Sequence, residues 1–322
     1  EGTYSSAFII KSGFQIYGGF LGWETSLEER NWAENKTILT NPGGTVVTFK
    51  SVSEATVLDG FTIKDGLAHI WSEPNKANGG GIYNENGSPQ ITNCTITGNE
   101  ASSGGGMYNK AEGRGAVANP TLTNCLFSGN KAYYGGGMYN SGGSGGTANP
   151  TLTNCTISGN SADDRGGGIY NSHGSPILTN CIEWGNDPGI SSSSGVITYS
   201  NIEGGWDGVG NIDSHPHFVK GVDPGSAPTS AGNFRLLNDS PALNKGNPDT
   251  EDEGALATDI EGQPRIEDDD DIPGAVIDMG AYEGGELPPH YFVNFAADPG
   301  GTGSDWDNAF DKLRDALGGT SP

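Results

Sequence analysis

The chain has 322 residues, 54 of them glycine, a third of them apolar, and a net charge of −24. That acidity argues against direct nucleic-acid binding, which needs clustered Lys and Arg against phosphate. It suits an exported surface or one that takes up Ca²⁺. No apolar run is long enough for a transmembrane helix, no signal-peptide pattern stands at Glu1, and the chain does not start with Met. An extracellular or cell-surface location is therefore expected, with the export signal encoded upstream.

In chain order, Gly13, Phe14 and Ile16 read as a first, degenerate copy of a pattern that becomes explicit later, at the positions taken by Asn154, Cys155 and Ile157. Residues 22–35, with Glu24, Glu28, Glu29 and Arg30, read as a polar excursion off one corner. Ile38-Leu39 and residues 46–49 read as strands. Leu58, Gly60, Phe61 and Ile63 repeat the pattern, with Leu58 standing where Leu152 does.

From Gly79 the repeat is overt. Gly79-Gly80-Gly81-Ile82-Tyr83-Asn84 recurs at 104–109, 135–140 and 166–171, each copy followed by a Pro and then Ile/Leu-Thr-Asn-Cys. A fixed period of this kind means a stacked architecture in which each unit touches its neighbours. Within a copy, Leu152-Thr153 and Cys155-Thr156-Ile157-Ser158 alternate apolar and polar, which is strand periodicity. A single Asn between the two strands can turn the chain sharply, because Asn tolerates a left-handed backbone. Three short strands per copy then wind into one coil of an all-β solenoid, a right-handed parallel β-helix of roughly ten coils spaced by about 4.8 Å. Asn93, Asn124, Asn154 and Asn180 are expected to form a ladder along the turns. Cys94, Cys125, Cys155 and Cys181 share one inward column. Two readings stay open for them: buried thiols acting as small hydrophobes, or disulfides between vertical neighbours.

The copies differ mainly at residues 110–119 and 141–149, inserted at equivalent sites and so emerging from one edge. They read as solvated Gly-rich loops, with a ligand-binding edge as the alternative. Ile197, Ser200 and Ile202 still fit the inward pattern, after which regularity fades. The irregular coils at 207–289 are expected to shield the terminal core from water. Pro288-Pro289 marks a boundary between a β-helix at 1–289 and a segment at 290–322. In that segment Tyr291-Phe292-Val293-Asn294 is strand-like. Ser304-Asp305 can cap a helix from about Trp306 to about Leu317, with Phe310, Leu313, Ala316 and Leu317 as its apolar stripe.

These residues resemble the repeats of right-handed parallel β-helix surface proteins, including the chlamydial polymorphic outer membrane proteins. Phe14-Gln15-Ile16-Tyr17-Gly18-Gly19-Phe20 is similar to the first coils of large secreted bacterial β-helix proteins. So is the closing Asp259-Ile260-Glu261-Gly262-Gln263-Pro264-Arg265-Ile266, with Ile277-Asp278-Met279-Gly280-Ala281-Tyr282-Glu283 after it. In proteins of that kind, a Tyr-Val-Asn strand followed by Gly-x-Gly-x-x-Trp-x-x-Ala-Phe and a helix opens the domain and caps its first coil. Here the equivalent stretch, 291–317, comes last. The resemblance therefore implies that Tyr291, Phe292, Val293, Trp306, Phe310, Leu313 and Leu317 of one unit cover Ile10, Phe14 and Ile16 of the next. That is a head-to-tail self-association or a tandem fibre.

Many parallel β-helices act on polysaccharides, so an enzyme is the rival reading. A glycosidase needs two carboxylates flanking the bond, whereas the central outward positions are Thr92, Thr95, Thr123, Ser128, Thr153 and Thr156. Lys110, Arg114, Lys131 and Arg165 lie on loops, Asp163-Asp164-Arg165 coming closest to an acid–base cluster. His215 and His217 read as a turn around Pro216, with metal binding as the sharper alternative. No nucleophile motif, phosphate loop or zinc spacing is present. Asp268, Asp269, Asp270 and Asp271 form the strongest acidic cluster, a candidate Ca²⁺ site if not simply a solvated loop. Asp298, Asp305 and Asp307 form a weaker one. Trp71, Trp184 and Trp206 occupy unrelated repeat positions and make no row for sugar stacking. The expectation is a non-enzymatic structural protein, with a carbohydrate-active enzyme or a monomeric glycan-binding adhesin as alternatives.

Overall fold

The structure, a computed structural model, describes residues 1–68, 77–143, 145–191, 194–250, 257–265 and 276–286. Its body is a parallel β-helix with three long faces. The first face has eight strands, from Gly2–Ser5 through Thr95–Thr97, Leu126–Ser128, Thr156–Ser158 and Ile182–Trp184 to Asn201–Ile202. The second has six, from Phe8–Ile10 to Ile169–Ser172, and the third has seven, from Gln15–Tyr17 to Val196–Thr198. A four-stranded corner sheet (Leu67–Ala68, Glu100–Ser103, Lys131–Tyr134, Ser161–Arg165) joins the first face to the second. Pairing within the three faces and the corner sheet is parallel, and within the faces it is in register from copy to copy, so equivalent side chains stack in columns; in the corner sheet the register shifts between Ala132 and Tyr134, where Tyr134 pairs with Arg165.

Those columns make the core. Leu58, Ile91, Leu122, Leu152 and Leu178 stack from the third face, and Ile63, Ile96, Phe127 and Ile157 from the first, all fully buried. Burying each such side chain is worth about 1.5–3 kcal/mol. The single Asn between the two strands has positive φ in every central copy: 52° at Asn93 and Asn124, 53° at Asn154, 55° at Asn180. The triple glycines form the corner between corner sheet and second face rather than opening a strand. There coils pack backbone to backbone: a Cβ on Gly105 would stand 2.4 Å from the Lys131 carbonyl oxygen, and one on Gly106 2.5 Å from that of Gly137.

The described coils number seven, with an eighth begun by Asn201–Ile202, fewer than the ten expected. The difference lies in residues after Trp206, which leave the coil and run back along the outside. The register of the first copy also differs from the pattern read in the sequence. Ile16 pairs with Leu58 and belongs to the Leu152 column, and Phe14 is 58 % exposed, outside the Cys column. The excursion at 22–35 is inserted at the corner between third and first faces, so the strand following Gly13 lies one face earlier than the pattern suggested.

Candidate functional site

The two ends of the solenoid differ. At the far end residues 203–211 fold across the last coil. Trp206 packs on the core, and Asn211 donates to the Ile197 and Trp206 carbonyls at 2.8 and 3.1 Å. The first coil instead opens into an apolar mouth of about 640 Å³, lined among others by Tyr4, Phe8, Ile10, Ile16, Leu39 and Phe61. Of the expected interface residues, Ile10 and Ile16 lie in this mouth. Phe14 stands outside it on the neighbouring corner. Tyr4, Ile9 and Leu21 are exposed along its rim. Tyr291, Phe292, Val293, Trp306, Phe310, Leu313 and Leu317 fall outside the described residues, as do Asp268, Asp269, Asp270, Asp271 and Trp71.

One flank is covered by the returning chain, which forms a strap over the first face. Phe234, Ile260 and Ala281 pack on outward Leu126, while Leu236, Ala242 and Met279 pack on outward Ile182. Thr156 Oγ1 accepts the Ala281 amide at 3.0 Å, and Ser128 and Thr156, read as outward, are buried beneath the strap. At its far reach the Ile260 carbonyl accepts Trp32 Nε1 at 2.9 Å, and Arg30 beside that Trp pairs with Asp59 at 2.8 Å. The polar excursion is thus pinned from within.

The fastening is electrostatic. Arg265 is buried, donating to Asn124 Oδ1 at 3.0 Å and pairing with Glu283 at 2.9 Å. Asp259 and Asp278 accept strap amides from Glu261, Gln263, Glu283, Asn244 and Gly284. Burial raises the Glu283, Asp259 and Asp278 carboxyls, and the Arg265 guanidinium opposes that rise. The closing motifs singled out in the sequence therefore build this latch.

The other candidates read from the sequence scatter. All four cysteines are free and fully buried, and each thiol donates to a carbonyl of the preceding coil, as Cys125 does to Ile91 at 3.4 Å. The disulfide alternative is not what the structure holds. Asn124 donates to Asn93 at 3.2 Å, but neither amide atom of Asn154 has a partner among the described residues, and Asn180 turns to Thr250. The expected ladder is broken there. Continuous amide columns run instead through Asn99, Asn130, Asn160 and Asn186, each step 2.9 Å, and through Asn84, Asn109, Asn140 and Asn171. The insertions stack on one another, with Ala111, Ala118 and Ala148 as a small buried core. His217 lies 3.1 Å from Asp239, and its amide donates to His215 Nδ1. No group of metal-ligating side chains occurs among the described residues.

One feature has no counterpart among the sequence expectations. Tyr83, Tyr108, Tyr139 and Tyr170 stand in register on the outward side of the second face. Successive ring centroids lie 5.7, 5.1 and 4.9 Å apart. Beside them runs a charged column in which Glu85 meets Lys50 at 3.2 Å and Lys110 at 3.6 Å. The signal was present in the repeat, since the Tyr follows the inward Ile or Met and so has outward parity.

These coils define a parallel β-helix repeat protein. The family described as right handed beta helix region matches residues 80–221. A comparison with curated proteins finds no match. Among solved structures the chain is similar to pectate lyase Pel9A, 11% identical over 88% of this chain and 86% of that one, with a TM-score of 0.31. No helix among the described residues is long and apolar enough to cross a membrane.

Proposed function

We propose that the chain is a structural unit of an extracellular or surface fibre, in which residues 290–322 of one unit cover the first coil of the next. The observation that carries this is the mouth: among the described residues, Ile10, Ile16 and Leu39 of the core line an apolar opening at the first coil. Reach supports a cover from another unit. The last described strand, Gly285–Glu286, pairs with Leu236–Leu237, and Leu236 packs on Ile182 of the seventh coil. From there to the chain's own first coil is six coil rises, about 29 Å, whereas Tyr291, five residues beyond Glu286, lies at most about 18 Å from it. A first coil docked beyond the far end is closer to Tyr291 than the chain's own. Such a contact is heterologous and propagates unless it closes into a ring.

Negative-stain microscopy of the full chain, beside the chain shortened at Glu286, tests this. Strings of rods that disappear on shortening are expected. Strings that persist in the shortened chain, or isolated rods from the full one, would overturn the reading.

A further inference from the structure

We propose that the strap, acting through Trp32, holds the wall of the mouth in the shape on which a second copy docks. This rests on the fibre reading and adds to it what sets the docking surface. Tyr17, Phe20 and Leu21 line the mouth. The two residues between Tyr17 and Phe20 are glycines, and both touch the excursion at 22–35. Arg30 donates to the Gly18 carbonyl at 3.4 Å, and the Gly19 carbonyl accepts the Asn31 amide at 2.9 Å. Trp32 sits in a slot that only glycine leaves open. A Cβ on Gly19 would stand 2.6 Å from the Trp32 amide nitrogen, and one on Gly60 2.9 Å from Trp32 Cβ. Both glycines have positive φ, 93° and 80°, a backbone that other residues rarely take. The Trp32 ring lies 4.5 Å from the Arg30 guanidinium, and Tyr17 of the mouth wall shares that cation at 5.1 Å.

The strap meets this slot from the other side, where the Ile260 carbonyl accepts Trp32 Nε1. Phe61 makes a second link, since it lines both the mouth and the small cavity shared by Trp32, Ile260 and Tyr282. The excursion contains a short 3-10 turn and no strand of its own. A segment without ladder bonds depends on such contacts for its position and opens locally when they are lost. With the strap lifted, the wall spends less time in the docking shape, and affinity for the next copy falls by that fraction.

Amide hydrogen exchange and negative-stain microscopy of the full chain test this. Exchange is measured after dilution to the concentration at which the chain sediments as a monomer, so that docking cannot protect the mouth. Two variants are compared with the parent: Trp32→Phe, which keeps a ring over Arg30 and removes the donor to Ile260, and Arg265→Met, which unfastens the strap. Trp32→Phe is mild enough to fold and decides the point should Arg265→Met not fold. Exchange at Gly18, Gly19 and Asn31, whose amides are hydrogen-bonded around the slot, is expected to rise about fivefold or more in both. Gly105 and Gly136 of the central coils keep their protection, and strings require about fivefold more protein. Unchanged exchange around the slot, an equal rise at Gly105 and Gly136, or strings at the parent's concentration despite faster exchange would overturn the proposal. A parent that forms no strings overturns the fibre reading and with it the docking half of the proposal, while exchange still decides whether the strap holds the wall.

Discussion

Glu183 occupies an interior position that Ile157 and Ile202 take on the adjoining coils. Its carboxyl accepts Asn186 Nδ2 at 2.8 Å, and burial, helped by the charge of Glu203, pushes it up to about 8. The folded chain thus holds this proton more tightly than the unfolded one. The corresponding stability is fully present below the ordinary carboxyl range and is lost as pH rises through about 8. Replacing Glu183 with Gln keeps the acceptor and removes the titration. The melting temperature of Glu183→Gln should match the parent near pH 4.5 and exceed it increasingly towards pH 9, by an amount worth about 4–5 kcal/mol. An offset that does not change with pH would show that the carboxyl is not titrating in the core. The cysteines make a second residue-scale case. Burial raises Cys94 to about 12 and lifts Cys125 and Cys181 as well, and the thiolate is the reactive form. A disulfide-exchange reagent should find no thiol in the native protein and four after denaturation. Rapid labelling of the native chain would contradict the buried column.

Among the elements, the amide columns hold the corners. Asn130 donates to Ile96 and Asn160 while its Oδ1 accepts from Asn99, all buried. Asn130→Ala leaves several of those groups without partners, at about 1–3 kcal/mol for each buried group, and chemical denaturation should report the loss. The strap depends on one side chain. Arg265→Met strands Glu283, Asp278 and Asp259 without a counter-charge, and breaking a buried pair in this way costs about 3–5 kcal/mol. Hydrogen exchange should then accelerate at residues 257–265 and 276–286 while the inner columns keep their protection. Uniform acceleration would mean that the strap and coil are one cooperative unit. These two elements also mark what the sequence could reveal. Alternation put Leu152, Cys155 and Ile157 inside, and Asn at a one-residue turn carried its left-handed backbone in its chemistry. The strap has no period, and its contacts, such as Arg265 with Asn124, join residues 141 apart. Short-range pattern carries no information about such a pairing. The broken ladder at Asn154 escaped for the same reason, since the turn fixes the backbone while the amide's partners come from the neighbouring strap and coils.

At the scale of the molecule, the solenoid has polarity: among the described residues the first coil shows an apolar mouth, the last coil is folded over, and one flank is covered by the strap. Polarity distinguishes head-to-tail growth from a two-fold dimer made through one shared patch, because only the former uses two different surfaces. The two surfaces can be disabled separately. Tyr4→Asp with Leu21→Asp places charge on the rim of the mouth at exposed positions, so the coil itself should still fold. Shortening at Glu286 removes the other surface. Each form alone should sediment as a monomer, the first for want of a mouth and the second for want of a tail. Mixed, the tail of the first can enter the intact mouth of the second, and growth must stop there, since the complex retains no further usable pair. Analytical ultracentrifugation of the mixture should therefore show a one-to-one complex and nothing longer. A mixture that stays monomeric, or a rim variant that still forms strings with itself, would mean that the tail of one unit does not cover the first coil of the next.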